Sequence, residues 1–363
     1  MLTLQSIILT QFRNYVTKQF SFTEKIVGIY GSNGTGKTNL LDAIYYLSFT
    51  KSYFARTDAQ NVHHGLSGLR IEGHYEIMNE EADLICILRE NNKKEFSING
   101  EAYKKFSEHI GNYPCVMIAP DDVALISGNS EERRKFIDTI LSQIDTKYLR
   151  TLIDYTKLLQ QRNSFLKQAT EQGFCDDTLL NILSEQLSEK GDFIFNERKK
   201  FIQHFIPLTI QYYQTISGNQ DHIAIHYESQ LQQSEMKQLL AQSKQKDLQA
   251  QRTSVGIHKD DLLFQLNDAV FKNEASQGQR KSLLFALKMA EWQTLKNNKG
   301  FAPILLLDDV FEKLDEKRMF NLLHWVCKED DAQVFITDTH QKRLADTLQT
   351  IGVKHQLIHL EDK

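Results

Sequence analysis

The chain lacks the sequence features of a membrane protein, of a disulfide-bonded secreted protein and of a strongly basic protein. No run of about 18 apolar residues occurs, and the first residues are amphipathic rather than signal-like, which predicts a cytoplasmic protein. The cysteines are scattered without a CxxC pair, and we expect buried thiols in a reducing compartment at Cys86, Cys115, Cys175 and Cys327. The formal net charge of −4 excludes a protein covered in positive charge but leaves room for a local basic face.

What the chain does contain is a glycine-rich segment between an apolar run and a helical run. It consists of Gly31, Ser32, Asn33, Gly34, Thr35, Gly36, Lys37 and Thr38. The apolar run 26–30 precedes it and the helix-like run 39–44 follows, which is the order that a phosphate-binding P-loop requires. Its backbone N–H groups would surround the phosphates of ATP at a helix N-terminus. We expect Lys37 to reach the β- and γ-phosphates and Thr38 to ligate Mg²⁺.

The periodicity of apolar residues changes along the chain, which predicts two domains. Strands are expected at 2–8, 26–30, 70–75, 84–88 and 116–118, with a turn at Asn99-Gly100. Helices are expected from Ser130 as N-cap and over 149–159, 177–216 and 229–247, with a strand at 222–227. Later elements are a hairpin around Asn267-Asp268, a helix from 277, strands at 304–307 and 334–336, and a helix at 316–328. We therefore predict an α/β nucleotide-binding domain from 1–128 and 251–363, with a mainly helical domain at 129–250 inserted.

Two carboxylates end the continuous apolar strand 304–307. A run without polar alternation suits a parallel strand covered on both faces, and a buried charge there needs a partner. In the functional interpretation, Asp308 holds Mg²⁺ through water and Asp309 orients or activates the attacking water. The alternative is a pair of helix N-cap residues at the end of a strand.

A third element lies about 30 residues before that strand. Ser276 and Gln279 have the spacing of a helix capping box. The same hydroxyl and helix N-terminus, with Gly278 and Gln279, would also form a receptor for the γ-phosphate. The two interpretations are compatible.

The order of these three elements resembles that of ABC-type P-loop ATPases, in the branch that includes SMC proteins and repair ATPases. Further segments are similar to motifs of a bacterial recombination-protein family of this branch: FRNY at 12–15, PDD at 120–122 with RRKFID at 133–138, QRN at 161–163, GIHKDD at 256–261, SQGQR at 276–280, and DDV at 308–310 with LD at 314–315. Ile257 and Lys259 depart from the usual proline and arginine of the family, and 311–313 departs from its usual serine and glutamate.

The resemblance implies a nucleotide switch. Two subunits would bind two ATP molecules between them, each site joining one P-loop to the other subunit's Ser276 loop, with closure on binding and separation after slow hydrolysis. Arg56 occupies a position where related ATPases carry a phosphate-contacting arginine, and Arg13 is a candidate for the nucleotide edge. His340 lies near the usual switch-histidine position, with an ordinary exposed loop histidine as the alternative. Asp315 corresponds to the acid of the subunit-facing loop.

The resemblance further implies a role in recombinational repair, replication and the SOS response to DNA damage. A homodimer would clamp double-stranded DNA near single-strand gaps or junctions and, with RecO and RecR, help load RecA. The basic groups 104–105, 133–135 and 198–200 are candidates for phosphate contacts, or else solvated faces. The alternative function is the ATP-binding subunit of an ABC transporter or another ABC-type switch ATPase.

Overall fold

The computed structural model describes residues 1–218, 221–310, 320, 323–329 and 331–361. The described chain forms two compact units. The first unit comprises Met1–Asp122, Thr215–Gly218 and Gln277–Lys363, and the second comprises Val123–Gln214 and Asn219–Ser276. Residues 251–276, which the sequence assigns to the nucleotide-binding domain, thus belong to the second unit.

The regular elements are numbered along the chain. The strands are β1 (Leu2–Phe12), β2 (Tyr15–Ser21), β3 (Ile26–Tyr30), β4 (Leu69–Ile77), β5 (Glu80–Leu88), β6 (Lys94–Ile98), β7 (Glu101–Ala102), β8 (Cys115–Ile118), β9 (Ile223–Glu228), β10 (Asp261–Leu266), β11 (Ala269–Val270), β12 (Ile304–Leu307), β13 (Val334–Asp338) and β14 (His355–His359). The α-helices are α1 (Lys37–Phe49), α2 (Ala124–Ser127), α3 (Ser130–Ile144), α4 (Thr146–Gln172), α5 (Asp177–Ser217), α6 (Met236–Ala250), α7 (Phe271–Glu274), α8 (Gln277–Lys299) and α9 (Gln341–Ile351). Among the described helices, none has both the length and the apolar composition needed to span a bilayer.

A five-stranded parallel sheet with the order β14-β3-β13-β12-β8 organises the first unit. Strands β8, β12 and β13 are buried along their whole length, as expected for parallel strands covered on both faces. In the register, Leu307 is aligned with Ile118 and Ile336, so β8, β12 and β13 end at one edge of the sheet. Strand β3 ends at the same edge, because Tyr30 is aligned with Asp338. Ligands of open α/β sheets bind outside such an edge.

A second sheet of the first unit is antiparallel, in the order β2-β1-β4-β5-β6-β7. Helix α1 packs against strands of both sheets and is buried around nearly its whole circumference. A helix buried on nearly every side belongs in the interior of a domain rather than at its surface. The helix that follows the P-loop is therefore part of the core of the first unit. Its fully buried residues include Leu40, Ile44 and Leu47.

The second unit combines long helices with a small antiparallel sheet, β11-β10-β9. Helix α5 confirms the helical run predicted at 177–216, and the predicted hairpin forms between β10 and β11 with positive φ angles at Asn267 and Asp268. Strand β10 pairs with β9, and this pairing explains why residues 251–276 lie in the second unit. The predicted N-cap at Ser130 is wrong by one residue, because the Asn129 side chain accepts the bond from Glu131 N at 3.0 Å.

Candidate nucleotide-binding site

The glycine loop between β3 and α1 has the backbone geometry that the P-loop motif predicts. Gly36 is the N-cap of α1 with φ 108°, a conformation that favours glycine. A Cβ at Gly36 would lie 2.5 Å from the Asn14 amide nitrogen and 2.7 Å from the Tyr15 hydroxyl. The glycine loop is thus closely packed against the turn between β1 and β2, and any larger residue at position 36 would displace the loop.

Asn14 and Tyr15 fasten the loop by hydrogen bonds. Asn14 Nδ2 donates to the Thr35 carbonyl at 2.9 Å, and the Tyr15 hydroxyl donates to the Gly36 carbonyl at 3.0 Å. Asn39 Nδ2 on the first turn of α1 donates to Asn14 Oδ1 at 2.8 Å. Sequence reasoning recognised FRNY as a family motif but assigned no role to these two side chains. Their position next to the loop shows that they hold its shape.

The Lys37 side chain folds back over the glycine loop. Its Nζ donates to the carbonyls of Gly31 at 2.7 Å and Ser32 at 2.9 Å, and the residue is 8% exposed. Thr35 Oγ1 also donates to the Ser32 carbonyl, at 3.0 Å. The cation is therefore positioned inside the loop by backbone oxygens and faces the same edge of the sheet as the carboxylates of β12.

Thr38 and Asp308, 270 residues apart in the chain, meet at this edge. Thr38 Oγ1 lies 2.9 Å and 3.0 Å from the two carboxylate oxygens of Asp308. Thr337 Oγ1 donates to Asp308 Oδ1 at 2.8 Å. Burial raises the pKa of Asp308 and the nearby Asp309 adds to this, while the hydroxyls of Thr337 and Thr38 and the Lys37 ammonium act in the opposite direction. A buried carboxylate next to a threonine hydroxyl is an oxygen donor set that suits Mg²⁺.

Asp309 follows in an uncommon backbone conformation. Its φ of 49° lies in the left-handed region, where residues other than glycine are infrequent. Its amide donates to Thr337 Oγ1 at 2.8 Å, so one threonine hydroxyl links both carboxylate residues. Such strained positions cluster at functional sites, and this one fixes where the second acid leaves the strand.

Asp338 and His340 occupy the end of the adjacent strand β13. Asp338 is fully buried and accepts bonds from the His340 amide at 3.0 Å and from Arg343 Nε at 2.8 Å. The His340 side chain is 70% exposed, and its Nδ1 lies 2.8 Å from Thr339 Oγ1. The histidine predicted as a switch therefore lies in a loop at the edge where β13 ends, with its backbone amide held by Asp338. Asp315, predicted to face the other subunit, lies outside the described residues.

The two candidate arginines differ in environment. Arg13 Nη2 lies 3.2 Å from Asp42 Oδ2, and Asp42 also accepts bonds from Ser52 Oγ at 2.6 Å and Tyr53 N at 2.7 Å. Arg13 and Asn14 line an open cleft of about 820 Å³ beside the P-loop. Arg56 is exposed, and its side chain makes no hydrogen bond or ion pair within the described part of the chain.

Ser276 lies directly before α8, which begins at Gln277. Both residues are exposed, whereas Gly278 and Gln279 are half-buried. Ser282 Oγ donates to the Gly278 carbonyl at 3.0 Å, which stabilises the first turn of the helix. The predicted γ-phosphate receptor is thus an exposed helix N-terminus.

A buried polar cluster farther along α8 was not found from the sequence. Lys288 Nζ lies 3.4 Å from Glu291 Oε2 and 3.8 Å from Asp122 Oδ2. Asp122 accepts bonds from the Ala119 amide at 2.9 Å and from the Tyr53 hydroxyl. Burial raises the pKa of Glu291 to about 7. The cluster joins α8 to the segment after β8, and only the two charged residues in the mostly apolar stretch 282–292 of α8 could have indicated it.

Two of the basic residues considered for DNA contacts are used inside the second unit. Arg133 donates to both carboxylate oxygens of Asp261, at 2.6 Å and 3.0 Å. Arg198 is 1% exposed and pairs with Asp138 at 2.9 Å and Asp260 at 2.8 Å. This corrects the prediction for both arginines. Among the other candidates, Lys104, Lys105, Lys135, Lys199 and Lys200 are exposed.

The parallel sheet, the glycine loop after β3 and the carboxylates after β12 define an ATPase head of the SMC/RecF type, with an inserted helical region. The family model described as RecF/RecN/SMC N terminal domain matches residues 3–359. The chain is 41% identical over 357 residues to the DNA replication and repair protein RecF of Flavobacterium johnsoniae, covering 98% of this chain and 99% of that one.

Two solved structures are similar to this chain over most of their length. They are described as the recombination mediator proteins RecF-ATPrS and RecF-ATP in the RecFOR pathway, with 30% and 29% identity. Both give a TM-score of 0.86 and cover 94% of this chain, and 93% and 92% of their own. The chain therefore belongs to the RecF/RecN/SMC N-terminal domain family, among the RecF proteins of DNA replication and repair. The family and fold class predicted from the motifs are confirmed.

Proposed function

We propose that this protein is an ATP-dependent DNA-binding protein of recombinational repair and replication. Two subunits close around bound ATP, clamp double-stranded DNA near single-strand gaps or junctions, and separate after slow hydrolysis. In this role it acts with RecO and RecR to help load RecA. The observation that carries the proposal is the meeting of Thr38 and Asp308 beside the Lys37 loop. Family membership favours this function over that of a transporter subunit.

The residues of the loop and of β12 have complementary tasks in this proposal. The loop amides and Lys37 bind the phosphates, and Thr38 and Asp308 hold Mg²⁺. The cation supplies charge neutralisation at the phosphate oxygens when bound. Asp309 orients the attacking water. This role is supported by its backbone, which has a positive φ and is held by a hydrogen bond to Thr337. The similar RecF-ATP and RecF-ATPrS structures support nucleotide binding at this site.

The second half of each site comes from the partner in this proposal. The exposed Ser276 and the N-terminus of α8 are accessible to another molecule, and backbone N–H groups at a helix N-terminus favour anions. Each ATP would contact the P-loop of one subunit and Ser276 of the partner subunit. Nucleotide binding would then control dimer formation, and dimer formation would control the grip on DNA.

The test is fluorescence anisotropy of a labelled gapped duplex at fixed salt, with Mg-ATP and without nucleotide. We expect binding only with Mg-ATP, and we expect Lys37→Ala to lose nucleotide and DNA binding together. Lys342→Ala on the exposed face of α9 is the matched control and should behave as the unmodified chain. Binding that is indifferent to ATP, or no binding at all, would contradict the proposal.

A further inference from the structure

Four cations lie close together in the second unit: Arg134, Lys246, Arg252 and Lys259, which we call the basic patch. Arg134 Nη1 donates to the Asp260 carbonyl, next to Lys259, at 2.7 Å. The Arg252 amide donates to the Asp247 carbonyl, next to Lys246, at 3.1 Å. Partial burial and the charges of Arg252, Arg134 and Lys246 lower the pKa of Lys259. Like charges thus crowd at this place.

The backbone that carries the basic patch is held rigidly from beneath. Asp247 is fully buried, accepts bonds from Ser254 N at 2.9 Å and Ser254 Oγ at 2.6 Å, and pairs with Arg162 at 2.8 Å. Asp260, also buried, pairs with Arg198 at 2.8 Å. These carboxylates anchor both ends of segment 252–260. Buried hydrogen bonds and ion pairs therefore hold the backbone that carries Arg252 and Lys259.

The carboxylates near the patch are already engaged by other cations. Those that act on the charges of Arg134 and Lys259 are Glu131, Asp247, Asp260 and Asp261. Their ion-pair partners are, in that order, Lys135, Arg162, Arg198 and Arg133. Lys246, Arg252 and Lys259 are exposed and form no ion pair within the described part of the chain. The patch therefore keeps an uncompensated positive charge.

We propose that the basic patch binds the phosphodiester backbone of double-stranded DNA. The inference rests on the DNA-binding function proposed above and names the surface that carries it. Lysine and arginine head groups contact phosphate oxygens without reading bases, and guanidinium groups do so through paired hydrogen bonds. Binding of this kind is independent of sequence and weakens steeply as salt rises.

The test compares the unmodified chain with Arg252→Glu/Lys259→Glu by anisotropy of a gapped duplex in Mg-ATP at several salt concentrations. The control is Lys18→Glu/Lys157→Glu, which changes the net charge equally at two exposed lysines that form no ion pair among the described residues. We expect the patch variant to bind at least about 10-fold more weakly, with a salt slope shallower by about 2, one for each lost phosphate contact. The control should stay within about 2-fold. The charge-conserving variant Arg252→Lys/Lys259→Arg should restore most of the affinity.

The outcomes separate the two proposals. Binding of a fluorescent ATP analogue, equal in all variants, checks that each chain is folded. If the unmodified chain binds duplex and the patch variant matches the control, the patch inference is overturned while the proposed function stands. If the unmodified chain does not bind duplex in Mg-ATP, both are overturned.

Discussion

The two units use charged residues in opposite ways. In the first unit, Lys37, Thr38 and Asp308 gather at the open edge of a parallel sheet, around a loop whose shape is fixed by Asn14 and Tyr15. In the second unit, Arg162 and Arg198 are buried and paired with carboxylates. Arg162 lies in a family motif, as Lys37, Thr38 and Asp308 do, whereas Arg198 lies in none, although its partners Asp138 and Asp260 do. A motif of charged residues therefore marks a ligand site only where the fold leaves the charges at an accessible edge.

Arg162→Met removes a buried ion pair of the second unit, and we expect it to lower stability more than any other substitution considered. It leaves Asp247 as a buried carboxylate without its cation, which costs about 3–5 kcal/mol. Urea denaturation of the full chain should show a much lower midpoint. The control Arg252→Met, at an exposed arginine, should change stability by less than about 0.5 kcal/mol.

A double variant sharpens that prediction. Because the penalty comes from the unpaired charge, Arg162→Met/Asp247→Leu should be more stable than Arg162→Met alone. If the single variant unfolds at the same urea concentration as the unmodified chain, the pair is not part of the structural core.

Asp309→Asn tests the charged residues of the first unit, because this substitution should impair ATP hydrolysis and leave stability nearly unchanged. Loss of the group that orients water should slow ATP hydrolysis by about 100-fold or more. The nucleotide-bound dimer should then accumulate, as measured by phosphate release and by sedimentation in Mg-ATP. Asp268→Asn, in the exposed hairpin of the second unit, is the control. An unaltered rate in Asp309→Asn would show that this carboxylate does not direct the water.

Glu291 is a buried acid of the first unit, the unit that also contains the nucleotide site. Burial raises its pKa from an ordinary 4.5 to about 7 in the folded chain. Its protonated form is therefore favoured by folding, and its contribution to stability is lost as pH rises from about 4.5 through 7. Between pH 5 and pH 7 the loss should amount to about 2 kcal/mol, given 1.36 kcal/mol for each pH unit.

Glu291→Gln keeps the shape of this side chain and removes its charge. The difference in unfolding free energy between the two chains should therefore grow from pH 5 to pH 7, with the glutamine variant relatively more stable at the higher pH. Glu197→Gln, on α5 in the second unit, is a control in which the difference should stay small across this range. A constant offset for Glu291→Gln would contradict a raised pKa for Glu291.

The local part of the fold and of the site followed from the sequence. The glycine spacing predicted the loop between β3 and α1, and the apolar run before Asp308 predicted a buried parallel strand, because both signals lie within a few residues. Asn99-Gly100 likewise predicted the turn between β6 and β7. Cys86, Cys115 and Cys327 are buried as expected, although Cys175 is only half-buried.

The remaining features depend on contacts between distant segments. Strand β10 has the same apolar pattern whether it pairs with β9 or with a strand of the first unit, so the sequence predicted residues 251–276 in the nucleotide-binding domain, whereas they are grouped with the second unit. Strands β2 and β14 lie at sheet edges, where polar residues are tolerated, and they were not predicted. The burial of Arg133 and Arg198 depends on Asp260 and Asp261, more than 60 residues from Arg198 in the chain. Of the helix predicted at 316–328, residues 320 and 323–328 are described and are helical, with a π-helical turn at Trp325–Glu329, and the other positions lie outside the described residues.

In the proposed mechanism, Ser276 of the partner subunit completes the ATP site that the P-loop of one subunit forms. Mixing two inactive variants tests it most directly. Lys37→Ala should not bind nucleotide, and Ser276→Arg should bind nucleotide but not close. In a mixed dimer both changes fall in one site, and the other site is intact. We expect the mixture to regain ATP-dependent dimerisation and binding to a gapped duplex, which neither variant shows alone. A mixture as inactive as its components, with nucleotide binding retained by Ser276→Arg, would contradict it.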